Sequence, residues 1–597
     1  MSKLNSISIL RPRFSRGLLT GTSRQIVHIP EHSDIFAFGA ASNVKEPLVR
    51  DISWDVNEGE AWAIVSGAGG GGKSAIFRTL LGYTRIAPPS AESQANWAET
   101  GGLYPYLSSL GGDPYTRVSH VSFRQHSGGE SGAFFDYTTR YGAMREEEDR
   151  VTLRDTLPHV EAARQSLFDA LVERMNLTNL LHLPIITLSN GQTRRSRIVK
   201  AILDQPELLL LDEPLTGLDP PSRKSLLDIL QALHSKSCPR IIIGLRHGEE
   251  VPSWITHILE VAGGHAKIQS PSFMPVHTIT PPKNTGSASK TGPSLQRHKL
   301  LIDLKNVNVS YGDRKILQNI NWEIRAGDRW HLQGANGSGK TTLLALITGD
   351  HPQSYIQKHL QLPTITSPQD SSFDRHRPSF SLQHRKRIPS AHLRTLIGVV
   401  SPEMYDAFPR RHPGMSVWEA VGTGFDGGFV PRTKGASPAQ LKVGGIGHVD
   451  VSDEELGTGM STHDIEQRRE AVKQWRVQRC WEVLECLGPA AWSSSASTSH
   501  DSTLTREFAQ SAFASLSPGE QRLVLLMRAL VGQPPIVLLD EAWSGMDDAM
   551  ILAAQRYLRG ERADGKSAVG SDQAVIAISH WEDEVPWTAE EVKVLKL

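Results

Sequence analysis

Two short glycine-rich stretches combine the residue types that bind phosphate groups. One begins at Gly67 and reads G-A-G-G-G-G-K-S, and the other begins at Gly334 and reads G-A-N-G-S-G-K-T-T. Closely spaced glycines let successive backbone N–H groups point inward toward an anion, and the lysine of each stretch adds a positive charge. The hydroxyl that follows each lysine can bind magnesium. The predicted phosphate-binding residues are Gly67, Ala68, Gly69, Gly70, Gly71, Gly72, Lys73 and Ser74, and Gly334, Ala335, Asn336, Gly337, Ser338, Gly339, Lys340, Thr341 and Thr342.

An acidic pair follows each glycine-rich stretch at the end of an apolar run. The pairs are Asp212-Glu213 and Asp540-Glu541. We predict that the aspartates, with the loop hydroxyls, bind magnesium, and that the two glutamates are bases that polarise the water attacking a γ-phosphate. Helix capping by these acids is the simpler alternative, but it accounts poorly for two matching pairs. The predicted metal ligands are Ser74, Asp212, Thr341 and Asp540.

A histidine follows a later apolar strand in each half of the chain. His247 comes after the run 241–245, and His580 comes after the run 575–579. A single histidine at the end of a strand is more often structural, but two at matching places favour a shared role. We predict that both contact the γ-phosphate and hold it close to the base.

The order of these motifs repeats, which indicates an internal duplication. The two loop lysines are 267 residues apart, and the interval from Ser189 to Asp212 equals that from Ser517 to Asp540. The second half has the longer spacing between its lysine and its acidic pair, so it carries insertions. We predict surface loops for these insertions, at 353–390, 433–461 and 493–502. A basic cluster in the first insertion could contact a phosphate backbone, although a solvated loop is the more common reason for such a cluster. Its residues are Arg375, His376, Arg377, His384, Arg385, Lys386 and Arg387.

Composition excludes several classes of protein. The 597 residues include 64 basic and 64 acidic side chains, so no overall field favours nucleic acid or an anionic membrane. No apolar run approaches the roughly 18 residues of a membrane span. The three cysteines are too few and too scattered for a disulfide framework or a zinc cluster.

The most specific motif places the chain beside a known family. Leu188 to Gln192 and Leu516 to Glu520 resemble the LSGGQ sequence of ATP-binding cassette (ABC) proteins. The resemblance implies two ATP molecules with Mg²⁺, sandwiched head to tail within one chain, each facing the signature loop of the other half. It also implies that an aromatic ring stacks on each adenine. The additional nucleotide-binding residues that it implies are Ser189, Gly191, Gln192, Ser517, Gly519, Glu520, Phe38 and Tyr311.

The expected fold is α/β, with two tandem P-loop ABC nucleotide-binding domains. Each should have a parallel-sheet core, a small antiparallel portion and a helical subdomain. The expected bounds are 31–262 for the first domain, 263–298 for a flexible linker rich in Ser, Pro and Gly, and 299–597 for the second domain. The predicted strands are 61–66, 118–123, 208–211, 241–245, 301–311, 397–400, 536–539 and 575–579, and a helix is predicted at 74–81.

Two hypotheses of function follow from the resemblance. The tract Ser416 to Phe425 is similar to soluble double cassettes related to molybdate-importer ATPases, which favours an ATPase that drives a separate membrane permease or another macromolecular partner. The alternative is a soluble mechanochemical ATPase that acts on a ribosome or nucleic acid. The short linker disfavours this alternative, because translation-type double cassettes usually carry a long charged helical segment there.

The N-terminal segment 1–30 has the composition of a mitochondrial transit peptide. Its charged residues are all basic, and the first acid is Glu31. The alternative is an ordinary disordered N-terminus on a cytoplasmic protein, since Pro12 interrupts the helix that an import signal should form.

Overall fold

A computed structural model of the chain shows two compact units, 24–271 and 299–597, each with its own sheet and core. The structure describes residues 24–38, 47–66, 72–122, 151–185, 188, 190–216, 218, 220–246, 249–271, 299–311, 314–335, 337–365, 380–408, 415–429, 462–492, 502–543, 545–546, 548–560, 569–570, 572–579 and 585–597. The expected α/β fold in two units is confirmed.

The first unit is built on one nine-stranded sheet, ordered β4-β1-β2-β9-β8-β3-β7-β6-β5. Its central strands β8, β3, β7, β6 and β5 are parallel, whereas β1, β2 and β4 form an antiparallel portion. The strands are β1 (Gln25–Ala37), β2 (Val49–Asn57), β3 (Trp62–Ser66), β4 (Thr84–Ala87), β5 (Val118–Ser122), β6 (Leu208–Asp212), β7 (Arg240–Leu245), β8 (His257–Ala262) and β9 (His265–Gln269).

Helices cover both faces of this sheet, because its central strands are apolar on both sides. In β6, Leu208 and Leu210 belong to the core shared with α1, whereas Leu209 and Leu211 belong to the core shared with α6 and α7. The helices are α1 (Gly72–Leu80), α2 (Ala91–Glu99), α3 (Pro105–Ser109), α4 (Leu153–Thr156), α5 (Gln165–Arg174), α6 (Asn190–Leu203) and α7 (Pro220–His234).

The second unit divides the same parts between two sheets. An antiparallel sheet has the order β11-β10-β13-β14, and a parallel sheet has the order β15-β16-β17-β12-β18. The strands are β10 (Leu300–Tyr311), β11 (Arg314–Arg325), β12 (Arg329–Gln333), β13 (Leu360–Ile365), β14 (Phe380–His384), β15 (Ile397–Val400), β16 (Ile536–Asp540), β17 (Ala574–Ile578) and β18 (Lys593–Lys596).

A helical subdomain packs on one face of the second parallel sheet. Its core includes Val483 of α12, Leu526 of α15 and Val537 of β16, whereas Leu538 of β16 faces the other core with α8. The helices are α8 (Lys340–Thr348), α9 (Ser390–Leu396), α10 (Pro402–Ala407), α11 (Val417–Gly422), α12 (Thr462–Leu487), α13 (Pro489–Trp492), α14 (Ser502–Gln510), α15 (Pro518–Val531) and α16 (Asp548–Arg559).

Two segments predicted as loop or linker contain strands. The predicted linker begins with β9, which pairs antiparallel with β8 across a turn at Gly263 and Gly264. The predicted insertion 353–390 contains β13 and β14, and β13 pairs with β10 as well. The loop prediction was therefore wrong for these strands, because alternating apolar residues allow half-buried strands within a polar segment. Residues 272–298, 433–461 and 493–501 lie outside the described residues.

The structure also corrects the interpretation of the basic cluster in that insertion. Arg385 is fully buried, and it donates hydrogen bonds to the carbonyl oxygens of Ile388 and Gly349 and to the hydroxyl of Tyr355. It therefore stabilises the fold and is not available to a phosphate backbone. Lys386 and its neighbour Arg387 are exposed, and Arg375 to Arg377 lie outside the described residues.

The start of β1 overlaps the predicted targeting segment. Gln25, Val27, His28 and Ile29 pair with β2, and Ile26, Val27 and Ile29 are buried. A cleavage that leaves this strand intact must fall before Gln25. Among the described residues, no helix is both long and apolar enough to cross a membrane.

Candidate functional site

In the first unit, Lys73 joins the two acids predicted to act with it. Its Nζ donates to Glu213 Oε1 at 2.6 Å and lies 3.1 Å from Asp212 Oδ1. The Lys73 side chain is only 3% exposed, and those of Asp212 and Glu213 are 5% and 11% exposed. The fold thus brings Lys73 to an acidic pair whose glutamate lies 140 positions later in the chain.

Parallel strand ends create this arrangement. Lys73 lies in the first turn of α1, which follows β3 through the glycine-rich stretch, whereas Asp212 is the last residue of β6. Strand β7 lies between β3 and β6 and pairs in parallel register with both. Because parallel strands all point the same way, the loops after their carboxyl ends meet at one edge of the sheet.

The space between the strands is tight at this edge. A Cβ added at Gly244 of β7 would lie 2.7 Å from the Phe77 ring and 3.0 Å from Asp212 Oδ1. Glu213 donates its backbone N–H to the Gly244 carbonyl oxygen at 2.9 Å. Gly244 therefore permits the close approach that fixes both acids against β7.

Arg246 is a member of this cluster that the sequence analysis missed. Its Nε donates to Glu213 Oε2 at 3.3 Å, so a different cation contacts each carboxylate oxygen of Glu213. The backbone N–H of Arg246 donates to Glu249 Oε2, and Glu249 Oε1 lies 3.6 Å from Arg223. The only signal in the sequence was its place directly before His247 at the end of an apolar strand.

The second unit shows why its loop requires glycine. Gly337 and Gly339 have φ values of 91° and 100°, a left-handed conformation that other residues rarely adopt. A Cβ at Gly334 would meet Ser338 Oγ. Lys340 donates to the carbonyl oxygens of Gly334 and Ala335 at 2.7 and 3.0 Å. The loop therefore curls tightly around its lysine at the start of α8.

The hydroxyls predicted to bind magnesium occupy equivalent places. Ser74 follows Lys73 in the first turn of α1, and Thr341 and Thr342 follow Lys340 in the first turn of α8. All three side chains are partly exposed. Behind the second site, the ring of His331 in β12 contacts the Ser579 carbonyl oxygen at 3.0 Å, which fixes the residue directly before His580.

In the second unit, the signature segment begins a helix with an exposed serine. Ser517 is the N-cap of α15: its Oγ accepts the N–H of Glu520, whose carboxylate accepts the N–H of Ser517. Gly519 is buried, and a Cβ there would lie 2.5 Å from the Gly545 carbonyl oxygen. Since backbone N–H groups at a helix N-terminus are not bonded within the helix, this end suits an anion.

In the first unit, the corresponding helix is tied to the acidic strand end. Gly191 and Gln192 are buried in the first turn of α6, where Arg194 donates to the Thr216 carbonyl oxygen at 2.7 Å. Thr216 follows Glu213 by three residues. The contact therefore links the signature helix to the segment that carries the predicted base.

Of the two aromatic residues, Phe38 directly follows β1 and is 63% exposed, which leaves its ring accessible to a base. The backbone of Tyr311 ends β10. Several predicted site residues lie outside the described residues: Gly67, Ala68, Gly69, Gly70, Gly71, Ser189, His247, Asn336 and His580.

The residues present fit ATP and Mg²⁺. Asp212 and Glu213 converge on one cation, the Lys73 ammonium group, and carboxylate and hydroxyl oxygens are the ligands that Mg²⁺ prefers. In the second loop, the left-handed φ values of Gly337 and Gly339 suit a backbone that turns its N–H groups toward a phosphate.

Comparison with known proteins agrees with this site. The model of the ABC transporter family matches residues 49–216 and 317–544, which together exceed half of the chain. The chain therefore belongs to the ABC transporter family. Each matched segment contains one glycine-rich stretch and one acidic pair. The chain is therefore a tandem protein with two ABC ATP-binding domains.

Two relatives match this chain over at least nine-tenths of their own length. An uncharacterized ABC transporter ATP-binding protein of Schizosaccharomyces pombe is 28% identical over 557 residues, covering 92% of this chain and 95% of the relative. The ABC transporter ATP-binding protein ModF of Escherichia coli is 25% identical over 545 residues, covering 89% and 90%. Among solved structures, that of RNase-L Inhibitor is 15% identical to this chain, with a TM-score of 0.47. The match covers 94% of this chain and 88% of the RNase-L Inhibitor chain.

Proposed function

We propose that this protein hydrolyses ATP with Mg²⁺ at two sites, one built on Lys73 and the other on Lys340. The observation that carries the proposal is the convergence of Lys73, Asp212 and Glu213 at one edge of the first sheet. These residues supply a phosphate-binding cation, a metal ligand and a base within hydrogen-bonding distance. Membership of the ABC family supports hydrolysis, because ATPase activity is the general activity of its ATP-binding domains.

Each residue has a defined task in this reaction. Lys73 and Lys340 bind the phosphate chain, and Asp212 and Asp540 would hold Mg²⁺, which would neutralise charge on the phosphate oxygens. Glu213 and Glu541 orient the attacking water and accept its proton. In the proposed arrangement, the N-terminus of α15 and the signature segment of α6 each complete the site of the opposite unit.

Replacing both bases tests this proposal. The double variant Glu213→Gln with Glu541→Gln should lose at least about 100-fold in steady-state hydrolysis, since the amide cannot accept a proton. ATP binding should persist because the shape of the side chain is kept. The control pair Glu173→Gln and Glu507→Gln changes exposed acids outside both sites and should leave the rate unchanged. Undiminished hydrolysis by the first double variant would remove both glutamates from the mechanism.

We further propose that ATP hydrolysis drives a separate transport partner and that the chain acts in mitochondria. The names of its relatives as ABC transporter ATP-binding proteins support coupling to transport. The basic segment before β1 supports import. Action on a ribosome or nucleic acid is the competing outcome.

One fractionation experiment tests the partner and the location together. The full-length chain with a C-terminal tag is purified from separated mitochondria and cytosol under mild detergent, with and without ATP. Recovery from mitochondria with an integral membrane protein, released or captured in an ATP-dependent way, is the expected result. Recovery only from the cytosol would overturn the import proposal. Ribosomal proteins or RNA in place of a membrane protein would overturn coupling to transport.

A further inference from the structure

Lys73 and Arg246 both contact the Glu213 carboxylate, and binding of ATP must take Lys73 away from it. Lys73 donates to Glu213 Oε1 at 2.6 Å, and Arg246 donates to Glu213 Oε2 at 3.3 Å. The proposed function requires Lys73 to bind phosphate. Its ammonium group is almost fully buried against the two acids, so binding of phosphate means exchanging carboxylate partners for phosphate oxygens.

This exchange leaves a carboxylate beside the most negative part of ATP. Like charges within a few ångströms in a poorly solvated site repel strongly, and a buried charge that loses its partner is costly. Glu213 is 11% exposed, so water screens it little, whereas Arg246 is 21% exposed and remains on its other oxygen. The neighbouring Glu249 accepts the backbone N–H of Arg246 and lies 3.6 Å from Arg223. These contacts keep Arg246 at this end of β7.

We propose that Arg246 is a positioning residue that stays paired with Glu213 when Lys73 moves to the phosphate chain, and thereby allows ATP to bind tightly at the first site. The inference rests on the proposed function in one respect, namely that Lys73 binds ATP. It goes beyond that function because it assigns a role to a residue outside the phosphate loop, the acidic pair and the histidine.

The duplicated half has no such charge at this place. Arg246 directly precedes His247, and the residue that directly precedes His580 is Ser579. Ser579 is buried, and its backbone oxygen contacts His331. Because serine carries no charge, the two sites should depend differently on this position.

A direct contact between Arg246 and the γ-phosphate is the main alternative, and a double-variant cycle separates the two roles. If Arg246 acts by neutralising Glu213, its loss should matter only while Glu213 carries a negative charge. If Arg246 binds phosphate directly, its loss should weaken ATP binding whether or not Glu213 is charged.

The experiment measures equilibrium binding of Mg²⁺ and a fluorescent ATP analogue to the full chain carrying Lys340→Ala, so that the first site reports. Adding Arg246→Ser should raise Kd roughly tenfold, the scale of coupling between contacting charges. Adding Glu213→Gln to that variant should restore Kd to within about twofold of the Glu213→Gln protein alone. Arg246→Lys, which keeps the charge, should bind nearly as the parent does, and the exposed control Arg78→Ser should not change Kd.

Each outcome has a separate meaning. Equal weakening by Arg246→Ser with and without Glu213→Gln would overturn the inference in favour of a direct phosphate contact, and no weakening in either background would also overturn it. Absence of ATP binding by the Lys340→Ala parent would contradict the proposed function itself. Far-UV circular dichroism of every variant establishes that the changes in Kd are compared between folded proteins.

Discussion

At the scale of single residues, both proposed bases have an unusual backbone. The φ angle is 52° at Glu213 and 45° at Glu541, in the left-handed region that costs a residue with a side chain roughly 1–3 kcal/mol. Each glutamate donates its backbone N–H to the neighbouring strand, at Gly244 and at Ile578. The same backbone conformation occurs in both halves of the duplication, which indicates that this turn orients the carboxylate.

A histidine away from the sites gives the second unit an acid-sensitive position. His351 is fully buried, its Nδ1 accepts the N–H of Gln353, and burial lowers its pKa to about 4. The unfolded chain binds a proton near pH 6.5, but the folded chain does so only near pH 4. The free energy of unfolding should therefore decrease as the pH is lowered from 6.5 toward 4, and the loss at pH 5 should be roughly 1–2 kcal/mol. Urea unfolding at pH 7.5 and pH 5 measures this loss, and a His351→Gln variant with the full loss would contradict it.

The sequence predicted which residues form the site better than it predicted the contacts between them. Lysine, acid and base are fixed by motif and by their places at strand ends, so Lys73, Asp212 and Glu213 were identified before their contacts were known. Arg246 lies on no motif, and its role depends on the distance from its Nε to a carboxylate that only folding brings near. Positive φ at the glutamates is equally invisible in the sequence, because glycine is absent there.

At the scale of elements, the continuous apolar strands were predicted closely, whereas β9, β13 and β14 were missed. Strand β15 matches its prediction residue for residue, β6 and β16 each extend one residue beyond theirs, and β17 is shifted by one residue toward the N-terminus. All five positions of β6 and of β16 are buried, so the apolar run is continuous. Strand β13 needs only alternate apolar residues and depends on pairing with β10 and β14, which the local pattern does not show.

Arg385 holds several of these elements together. Its guanidinium group bonds Gly349 at the end of α8, Ser390 at the start of α9, and Tyr355 between them. Arg385→Ala leaves buried acceptors without donors and should destabilise the second unit by about 3 kcal/mol. The matched control Lys386→Ala changes an exposed neighbour and should stay within about 0.5 kcal/mol of the original protein. Equal unfolding midpoints in urea for the two variants would show that Arg385 is not a structural residue.

At the scale of the whole molecule, one duplicated plan has been built in two ways. The first unit joins its antiparallel and parallel strands into a single sheet, whereas the second separates them and enlarges its helical subdomain with α12. Both keep a lysine after one strand and an Asp-Glu pair after another. The central proposal is that neither unit completes its own ATP site and that each receives the signature helix N-terminus of the other.

Site-specific labelling of Ser517→Glu tests that proposal most directly. A photoreactive ATP analogue is crosslinked to the full chain with Mg²⁺, and the labelled peptides are assigned to the Lys73 or the Lys340 site by mass spectrometry. The introduced carboxylate should repel the γ-phosphate across the pair, so labelling at the Lys73 site should fall roughly tenfold or more while the Lys340 site is retained. The nearby exposed control Ser515→Glu should leave both sites labelled. Loss of labelling only at the Lys340 site would contradict the head-to-tail arrangement.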